Sequence, residues 1–319
     1  MSRRRAALIA AAALLVLLWA NNTSLFAPAP AGRPIVVAHR AVAQQYGRSG
    51  LGRDDCTAIR IRPPVHPFLE NTLPSFREAI RLGADLIELD VSPTADGQVV
   101  VFHDWTLDCR TEGHGDVRAH RLAQLKALDV GYGYTADGGR TFPFRGKGVG
   151  MMPTLEEVLR AFPAQPFLIN FKSRHREEAD AVAAAFARAR IPITGRYAFY
   201  GDGEVLDRMR ALAPRSWIWG KSGVKACSLA YLKWGWTGRV PDPCRNATVV
   251  VPLNYRWAVW GWPNRFLERM REAGTRVVVM GDLVNTRSPI GIERPEQLAK
   301  VPAGFSGYLW IEDIHALRH

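Results

Sequence analysis

Pairs of chemically active side chains stand at or near the ends of three apolar runs in this sequence. The runs are IVVAHR at 35–40, DLIELDV at 85–91 and QVVVFHD at 98–104. Runs rich in valine, isoleucine and leucine are typical of buried strands. Their polar members are His39 with Arg40, Glu88 with Asp90, and His103 with Asp104. Because an unpaired charge is costly inside a protein, these residues indicate a functional site.

The types and spacing of these residues suit a divalent cation flanked by an acid and a base. Glu88 and Asp90 are two positions apart, so their carboxylates point to the same side of a strand. Carboxylate oxygens are ligands that Ca²⁺ and Mg²⁺ prefer. His39 and His103 can exchange protons near neutral pH. Two plainer interpretations stay open, namely strand-end ion pairs for the acids and satisfied core positions for the histidines.

The elements that would position these residues alternate along the chain. Candidate strands are 35–39, 85–91, 98–103, 167–172, 196–200, 215–219, 247–251, 276–281 and 307–312. Helical patterns fall at 73–82, 154–162, 176–189, 203–213, 228–234, 263–273 and 295–300. The first of these helices has a good N-cap in Thr72, a tolerated Pro74 and a stop at Gly83. Repeated alternation of this kind predicts parallel strands joined by right-handed crossovers.

Nine candidate strands are one too many for an eight-stranded barrel. The Asp-Gly pair at 96–97 is a tight-turn signal, so 98–103 should pair antiparallel with the extension of 85–91. The predicted fold is therefore α/β, a (β/α)8 TIM barrel with an inserted hairpin and lid region after strand 2. Active sites of such barrels lie at the carboxyl ends of the strands. The alternative is an open doubly wound sheet, although no Gly-rich phosphate loop follows the first strand.

Composition and charge narrow the expected partners. The chain has 319 residues, of which 47% are hydrophobic and 23% charged, and its formal net charge is +12. A basic surface attracts anions such as phosphate esters, anionic lipid or nucleic acid. No RNP-like, zinc-finger or helix-turn-helix signature accompanies the charge, so we expect no nucleic-acid partner.

The N-terminal segment predicts export. Residues 1–32 combine a basic start, an apolar run from Ala6 to Ala20 and a Pro/Ala linker. The run suits a signal peptide, or a somewhat short membrane anchor, and residues 33–319 then form the barrel. In both cases the body of the protein crosses the inner membrane. It would be periplasmic, or anchored to that membrane and facing the periplasm.

Four cysteines fit an oxidising compartment, in which an even number favours disulfides. We predict the pairs Cys56–Cys109 and Cys227–Cys244, because the members of each pair should lie close together. The sequence alone allows three connectivities.

Beyond these patterns, the chain resembles the glycerophosphodiester phosphodiesterase family. The resemblance rests on HRA, on ENTLPSFREAIRLGADLIELDVSPTADGQVVVFHDWTLDCRT, on MPTLEEVL at 152–159 and on FLINFK at 167–172. It is strong over about 35–172. It implies a (β/α)8 barrel that hydrolyses glycerophosphodiesters to an alcohol and glycerol 3-phosphate with one divalent cation, Ca²⁺ or Mg²⁺.

The resemblance also implies roles for individual residues. His39 and His103 would be the general acid and base, and Arg40 and Lys172 would bind the phosphate. A third metal ligand beside Glu88 and Asp90 is expected at Asn170, where the family usually has a glutamate. Supporting roles fall to Glu70 and Asp104, which could equally be a helix-terminal acid and a turn residue.

Three departures from the family pattern stand out. Ala41 replaces the family's glycine, Asn170 brings no charge, and an insertion at 41–69 separates Arg40 from Glu70. The Gly-rich stretch 104–153 is expected to form a lid or small subdomain.

Two other functions compete with glycerophosphodiester hydrolysis. One is phospholipase C- or D-like cleavage of intact (lyso)phospholipid at a membrane surface, which the tryptophans and the N-terminal segment favour. The other is a catalytically weak barrel that binds phosphate esters, which Asn170 favours.

Overall fold

The structure is a computed structural model and describes residues 2–48, 50–52, 55–284 and 290–317. Its helices and strands alternate along the chain. In order they are α1 (Arg3–Asn22), β1 (Ile35–Ala38), α2 (Leu73–Arg81), β2 (Leu86–Pro93), β3 (Val99–Val101), α3 (Leu122–Lys126), α4 (Leu155–Ala161), β4 (Phe167–Phe171), α5 (Arg176–Ala189), β5 (Ala198–Gly201), α6 (Glu204–Leu212), β6 (Trp217–Gly220), α7 (Lys221–Trp234), β7 (Thr248–Pro252), α8 (Asn264–Glu272), β8 (Arg276–Met280), α9 (Pro295–Leu298) and β9 (Tyr308–Ile311).

The chain divides into two compact units. The larger unit comprises Val36–Gly220 and Ile311–His319, and the smaller unit comprises Met1–Ile35 and Lys221–Trp310. Strands of the larger unit follow the order β6-β5-β4-β2-β1 and pair in parallel. In the smaller unit β7 pairs with β8, and β8 with β9, also in parallel.

The fold class is the predicted (β/α)8 barrel rather than an open doubly wound sheet. The Asp-Gly turn is confirmed as well: Gly97 has a φ of +74° and β3 pairs antiparallel with β2. That turn extends β2 to Pro93, so Glu88 and Asp90 lie inside the strand and not at its end.

Helix α2 shows how local sequence fixes an element. The Thr72 side chain accepts from the Ser75 amide, and the Ser75 hydroxyl accepts in turn from the Thr72 amide, which closes a capping box. Phe76 and Ala79 turn inward and are fully buried. Gly83, at φ +88°, follows the end of the helix, as predicted.

One helix starts earlier than predicted. Helix α7 begins at Lys221, directly after β6, and not near residue 228. Its first turn contains Ser222 and Gly223, which are poor helix formers. Tertiary contacts override this preference, because Cys227 and Tyr231 from the same helix are buried.

Both predicted disulfides are present, Cys56–Cys109 and Cys227–Cys244. The first joins the insertion 41–69 to the stretch 104–153. The two segments also share one apolar core, in which Ala58 and Ile61 of the insertion pack with Leu107 and Tyr134. The domain boundaries and the role of 104–153 as a lid stay predictions.

Candidate active site

Adjacent strands of the larger unit place four polar side chains side by side. Glu88 and Asp90 lie on the same side of β2 and are almost completely buried. Asn170 of β4 is in register with Asp90, and Tyr200 of β5 is in register with Asn170. Asn170 Nδ2 donates to Asp90 Oδ1 at 2.8 Å, and the Tyr200 hydroxyl donates to Glu88 Oε1 at 2.6 Å. The two acids are therefore held by neutral donors from neighbouring strands.

His39 follows the last residue of β1 and is oriented by a carboxylate. Its Nδ1 lies 2.9 Å from Glu312 Oε2, and its Nε2 lies 3.8 Å from Glu88 Oε2. Glu312 directly follows β9 and also pairs with Arg48, whose NH2 is 2.7 Å from Oε1. With Nδ1 engaged by Glu312, the Nε2 atom is the one that faces the buried acids.

Arg40 links the first strand to the acids through both its backbone and its side chain. The backbone N–H donates to Glu88 Oε2 at 3.0 Å. Arg40 has a left-handed backbone conformation, with a φ of +56°. Its guanidinium lies 3.1 Å from Glu70 Oε1 and 3.5 Å from Asp90 Oδ2. Ala41, at the family's glycine position, also has a left-handed φ, of +66°. A glycine would adopt this conformation without steric cost, so its replacement adds local strain.

The second histidine has its own carboxylate partner. His103 Nδ1 lies 2.6 Å from Asp104 Oδ1, and the other oxygen of Asp104 accepts from Arg110 NH1. Arg110 is buried and also reaches Glu70 Oε1 at 3.3 Å and the hydroxyl of Tyr134 at 3.0 Å. Asp104 thus orients His103 while a buried arginine fixes Asp104.

Lys172 immediately follows β4, and its Nζ lies 3.6 Å from Asp90 Oδ1. Its side chain is only 15% exposed. Together with Arg40, it places positive charge beside the buried acids, where an anionic group would be attracted.

The surroundings separate the pKa values of the two acids. Burial, followed by the neighbouring Asp90 carboxylate, raises the pKa of Glu88 to about 7. Burial also acts to raise the pKa of Asp90, but Lys172 and then His103 outweigh it and hold that pKa well below its usual range. Near neutral pH Asp90 is therefore ionised, whereas Glu88 can take up a proton.

The two histidines are shifted in opposite directions. Burial acts to lower the pKa of His39, but the carboxylates of Glu312 and Glu88 outweigh it, and the net pKa is raised. Burial, followed by the positive charges of Arg40 and Lys172, lowers the pKa of His103 to about 4. His39 therefore retains its proton more readily than His103.

The donor set for a cation is smaller than the family pattern implies. Within residues 2–48, 50–52, 55–284 and 290–317, no group of three or more His, Cys, Asp or Glu side chains could hold a metal ion. The third donor beside Glu88 and Asp90 is the Asn170 amide, whose buried Oδ1 accepts no hydrogen bond. A buried carbonyl oxygen without a partner next to two carboxylates fits a hard cation of the Ca²⁺ or Mg²⁺ type.

The structure thus brings together every residue that the sequence predicted for the site. These are His39, Arg40, Glu70, Glu88, Asp90, His103, Asp104, Asn170 and Lys172. Their proximity leaves their chemical roles as predictions. Sequence reasoning missed Glu312, Tyr200 and Arg110, which hold the predicted residues in place. A signal existed for Glu312 alone, because it follows the last apolar run as an acid.

Comparison with known proteins identifies the family. The model of the glycerophosphoryl diester phosphodiesterase family matches residues 39–200, which is half of the chain and spans the site from His39 to Tyr200. This chain belongs to the glycerophosphoryl diester phosphodiesterase family. The predicted membership is thereby confirmed.

Curated members of this phosphodiesterase family match the chain over part of their length. A glycerophosphodiester phosphodiesterase of Caldanaerobacter subterraneus subsp. tengcongensis is 41% identical over 103 residues, which are 32% of this chain and 39% of that protein. The chain therefore matches less than half of the length of this relative and of two Bacillus subtilis relatives.

Solved phosphodiesterase structures share the fold over nearly the whole chain. The glycerophosphoryl diester phosphodiesterase domain of a Mycobacterium tuberculosis protein has a TM-score of 0.65 and 18% identity, covering 89% of this chain and 98% of that domain. An Oleispira antarctica phosphodiesterase, solved in complex with the product sn-glycerol-3-phosphate, has a TM-score of 0.54 and 18% identity, covering 92% and 95%. At this identity the likeness shows the fold alone.

Proposed function

We propose that this chain hydrolyses glycerophosphodiesters to an alcohol and glycerol 3-phosphate. The observation that carries the proposal is the pair of histidines, each hydrogen-bonded through Nδ1 to a carboxylate, beside buried acids and two cations. Phosphodiester cleavage needs a proton acceptor for the attacking hydroxyl and a proton donor for the departing alkoxide. Membership of the family and the product bound to a solved relative with the same fold support this choice of substrate.

The site residues can divide the work of the reaction. Arg40 and Lys172 would bind the non-bridging phosphate oxygens and stabilise the negative charge that grows on them. One of His39 and His103 would accept the proton of the attacking group, either water or the glycerol's own hydroxyl, as its oxygen bonds to phosphorus. The other would donate a proton to the alcohol oxygen as the bond from phosphorus to that oxygen breaks. If the glycerol hydroxyl attacks, water then opens the resulting cyclic phosphate to give glycerol 3-phosphate. Glu312 and Asp104 would keep both rings correctly oriented throughout.

Glu88, Asp90 and Asn170 would hold one divalent cation, Ca²⁺ or Mg²⁺, with the Asn170 Oδ1 as the third oxygen. When bound, such a cation neutralises charge on the phosphate oxygens and acts as a Lewis acid. With two formal negative charges instead of three among its ligands, the site should bind the cation more weakly than a three-carboxylate site.

A second candidate substrate is an intact lysophospholipid. The observation that favours it is the exposed apolar surface of the smaller unit, which includes Trp257 with 78% of its surface exposed. Such a surface would bring the protein to its lipid.

For location, we propose an exported protein that keeps α1 as an inner-membrane anchor and faces the periplasm. Helix α1 is long and apolar enough to span a membrane, with a mean hydropathy of 1.5, a composition that a signal sequence also has. Retention is favoured by Arg269, a buried side chain that donates to the Asn21 carbonyl at 2.7 Å and to Asn22 Oδ1 at 3.1 Å. Cleavage after Asn22 would remove these acceptors and leave the buried guanidinium with fewer hydrogen-bond partners, which is costly. Two disulfides agree with export.

The test is an activity panel on the full chain in detergent. Glycerophosphocholine, glycerophosphoethanolamine and lysophosphatidylcholine are each supplied with Ca²⁺, Mg²⁺ or EDTA. We expect metal-stimulated release of glycerol 3-phosphate from the first two, and loss of about 100-fold or more in kcat for His39→Gln and for His103→Gln. His114→Gln is the matched control, since that histidine is 86% exposed and lies outside the site.

Each other outcome has a definite meaning. Preferential turnover of lysophosphatidylcholine would replace the proposed substrate with the lipid. Binding of glycerophosphocholine without turnover in any metal would identify a phosphate-ester-binding barrel. Unchanged activity in both histidine variants would remove the site assignment.

A further inference from the structure

The smaller unit exposes large aromatic side chains that its own core does not use. Helix α7 and the turn after it expose Leu229, Leu232, Trp234 and Trp236, and the segment after β7 exposes Tyr255, Trp257 and Trp260. We call these seven residues the aromatic face. Scattered exposed apolar residues are ordinary, but several tryptophans concentrated in two short segments mark an interaction surface.

Hydrogen bonds join the two segments of the aromatic face. Trp260 Nε1 donates to the Leu232 carbonyl at 2.9 Å, and the buried Tyr231 donates its hydroxyl to the Trp260 carbonyl at 3.0 Å. Trp236 Nε1 bonds the Lys233 carbonyl at 3.1 Å. The indole N–H groups of Trp236 and Trp260 are therefore bonded to backbone carbonyls, while large parts of both rings stay exposed.

The charge around this face is mostly positive. Residues 221–268 contain seven lysines and arginines and two acids, of which Asp242 pairs with Arg245 at 3.5 Å and Glu268 with Arg265 at 2.7 Å. Lys233 lies over the ring of Trp234 at 5.1 Å. Lysine and arginine near an anionic lipid surface each contribute on the order of 1 kcal/mol to binding. An anionic partner is therefore favoured over a neutral or basic one.

The membrane-length helix ends at the aromatic face. Asn22, the last residue of α1, donates from Nδ2 to the Trp236 carbonyl at 2.8 Å. Arg269 bonds both the Asn21 carbonyl, at 2.7 Å, and the Gly235 carbonyl, at 3.2 Å. The rest of α1 has no buried residue, and its 20 residues span about 30 Å, the thickness of a bilayer core.

We propose that the aromatic face rests in the head-group layer of an anionic bilayer that α1 crosses. Tryptophan and tyrosine favour this layer because their rings are apolar and their N–H or O–H groups are polar. A helix that leaves the bilayer within one hydrogen bond of Trp236 brings the face to that depth without a further partner. The aromatic face would thus fix the smaller unit on the membrane instead of leaving it tethered by the flexible end of an anchor.

The experiment uses the full chain in nanodiscs of phosphatidylcholine with phosphatidylglycerol, in which brominated lipids quench nearby tryptophans. We expect the quenched fraction of the emission to fall in Trp257→Phe and in Trp260→Phe, because each change removes a quenched ring. Trp217→Phe is the matched control, since Trp217 is only 7% exposed in the larger unit and its loss should raise the quenched fraction. Trp19 of α1 stays as a constant quenched signal in all three variants.

Two further measurements keep the outcomes distinct. Amides of 253–260 should exchange more slowly with deuterium in anionic nanodiscs than in purely zwitterionic ones. Equal exchange in both, or a rise in the quenched fraction for Trp257→Phe as for the control, would overturn the proposal. Self-association of the chain in nanodiscs that protects the same amides would assign the face to a second copy. Hydrolysis of water-soluble glycerophosphocholine should stay unchanged in these variants. The proposal about the aromatic face and the proposed function can therefore be contradicted independently of each other.

Discussion

The two units of the molecule distribute charge and apolar surface in opposite ways. Among the described residues, the larger unit buries nine charged side chains of acid and arginine type, namely Arg40, Glu70, Glu88, Asp90, Arg110, Asp129, Glu178, Glu312 and Asp313. The described part of the smaller unit buries Arg269 alone. Conversely, the smaller unit exposes the aromatic face and α1, whereas Ile59, Val65, Val149 and Met151 are the large apolar side chains that the described larger unit exposes.

This difference suits two units that work in different surroundings, one around charged groups and the other next to lipid. A buried charge is tolerated only where partners compensate it, and phosphate chemistry benefits from charges fixed in a medium of low dielectric constant. An exposed tryptophan is tolerated more readily where a lipid layer replaces water. Under our two proposals, the larger unit is arranged around an anionic substrate and the smaller unit rests on a membrane surface.

The largest expected effect comes from the buried charges of the larger unit. Arg110→Met leaves Asp104 and Glu70 without their shared cation, and breaking such a buried pair costs about 3–5 kcal/mol in the free energy of unfolding. Urea unfolding in detergent measures this change. Arg81→Met is the control, because Arg81 pairs with Glu78 from an exposed position and its loss should cost far less than that of Arg110. Equal losses in the free energy of unfolding for the two variants would mean that the buried charge network does not stabilise the fold.

Glu312→Gln should lower kcat about 100-fold, the lower end of what a general acid or base contributes. Glu312 touches no substrate group in our proposal and positions His39 through Nδ1. A positioning role predicts a fall in kcat with little change in KM, and partial rescue by Glu312→Asp. Asp313→Asn is the control, since Asp313 is a buried neighbouring carboxylate that accepts from the Ala316 amide. A variant with normal kcat would show that His39 needs no orienting carboxylate.

Asn170→Glu tests whether residue 170 is a ligand of the proposed cation. A third carboxylate should tighten Ca²⁺ binding roughly tenfold, because affinity rises with the number of charged ligands. Calorimetric titration without substrate measures this affinity directly. Asn170→Gln keeps the amide without adding charge, and it should not tighten binding. Unchanged affinity in Asn170→Glu would place Asn170 outside the coordination sphere.

The sequence predicts the polar residues in and after the strands much better than it predicts the residues that hold them in place. His39, Glu88 and Asp90 were predictable because polar groups inside apolar runs violate the burial pattern, and two-residue spacing assigns them to one side. The Asp-Gly turn and the cap at Thr72 were predictable because local chemistry decides them.

The supporting residues were not predictable for a tertiary reason. Glu312 lies more than 270 residues after His39, and the two residues meet where the His39 N–H donates to the Ile311 carbonyl at 2.9 Å. Tyr200 resembles any core aromatic until its hydroxyl is seen to reach Glu88. Arg110 lies in a long irregular stretch that shows no periodicity. Each acts through a contact that strand and helix patterns do not encode.

The smallest expected effect tests the smaller unit in the absence of lipid. Trp257 is 78% exposed and Trp310 is 5% exposed, and both belong to this unit. In detergent, Trp257→Ala should change the free energy of unfolding by no more than about 0.5 kcal/mol, as is usual for surface substitutions. Trp310→Ala should cost about 3–5 kcal/mol, because it empties space in a packed core. A cost for Trp257→Ala close to that of Trp310→Ala would mean that protein already covers the aromatic face. The contrast between the two units would then be one of packing and not of solvent.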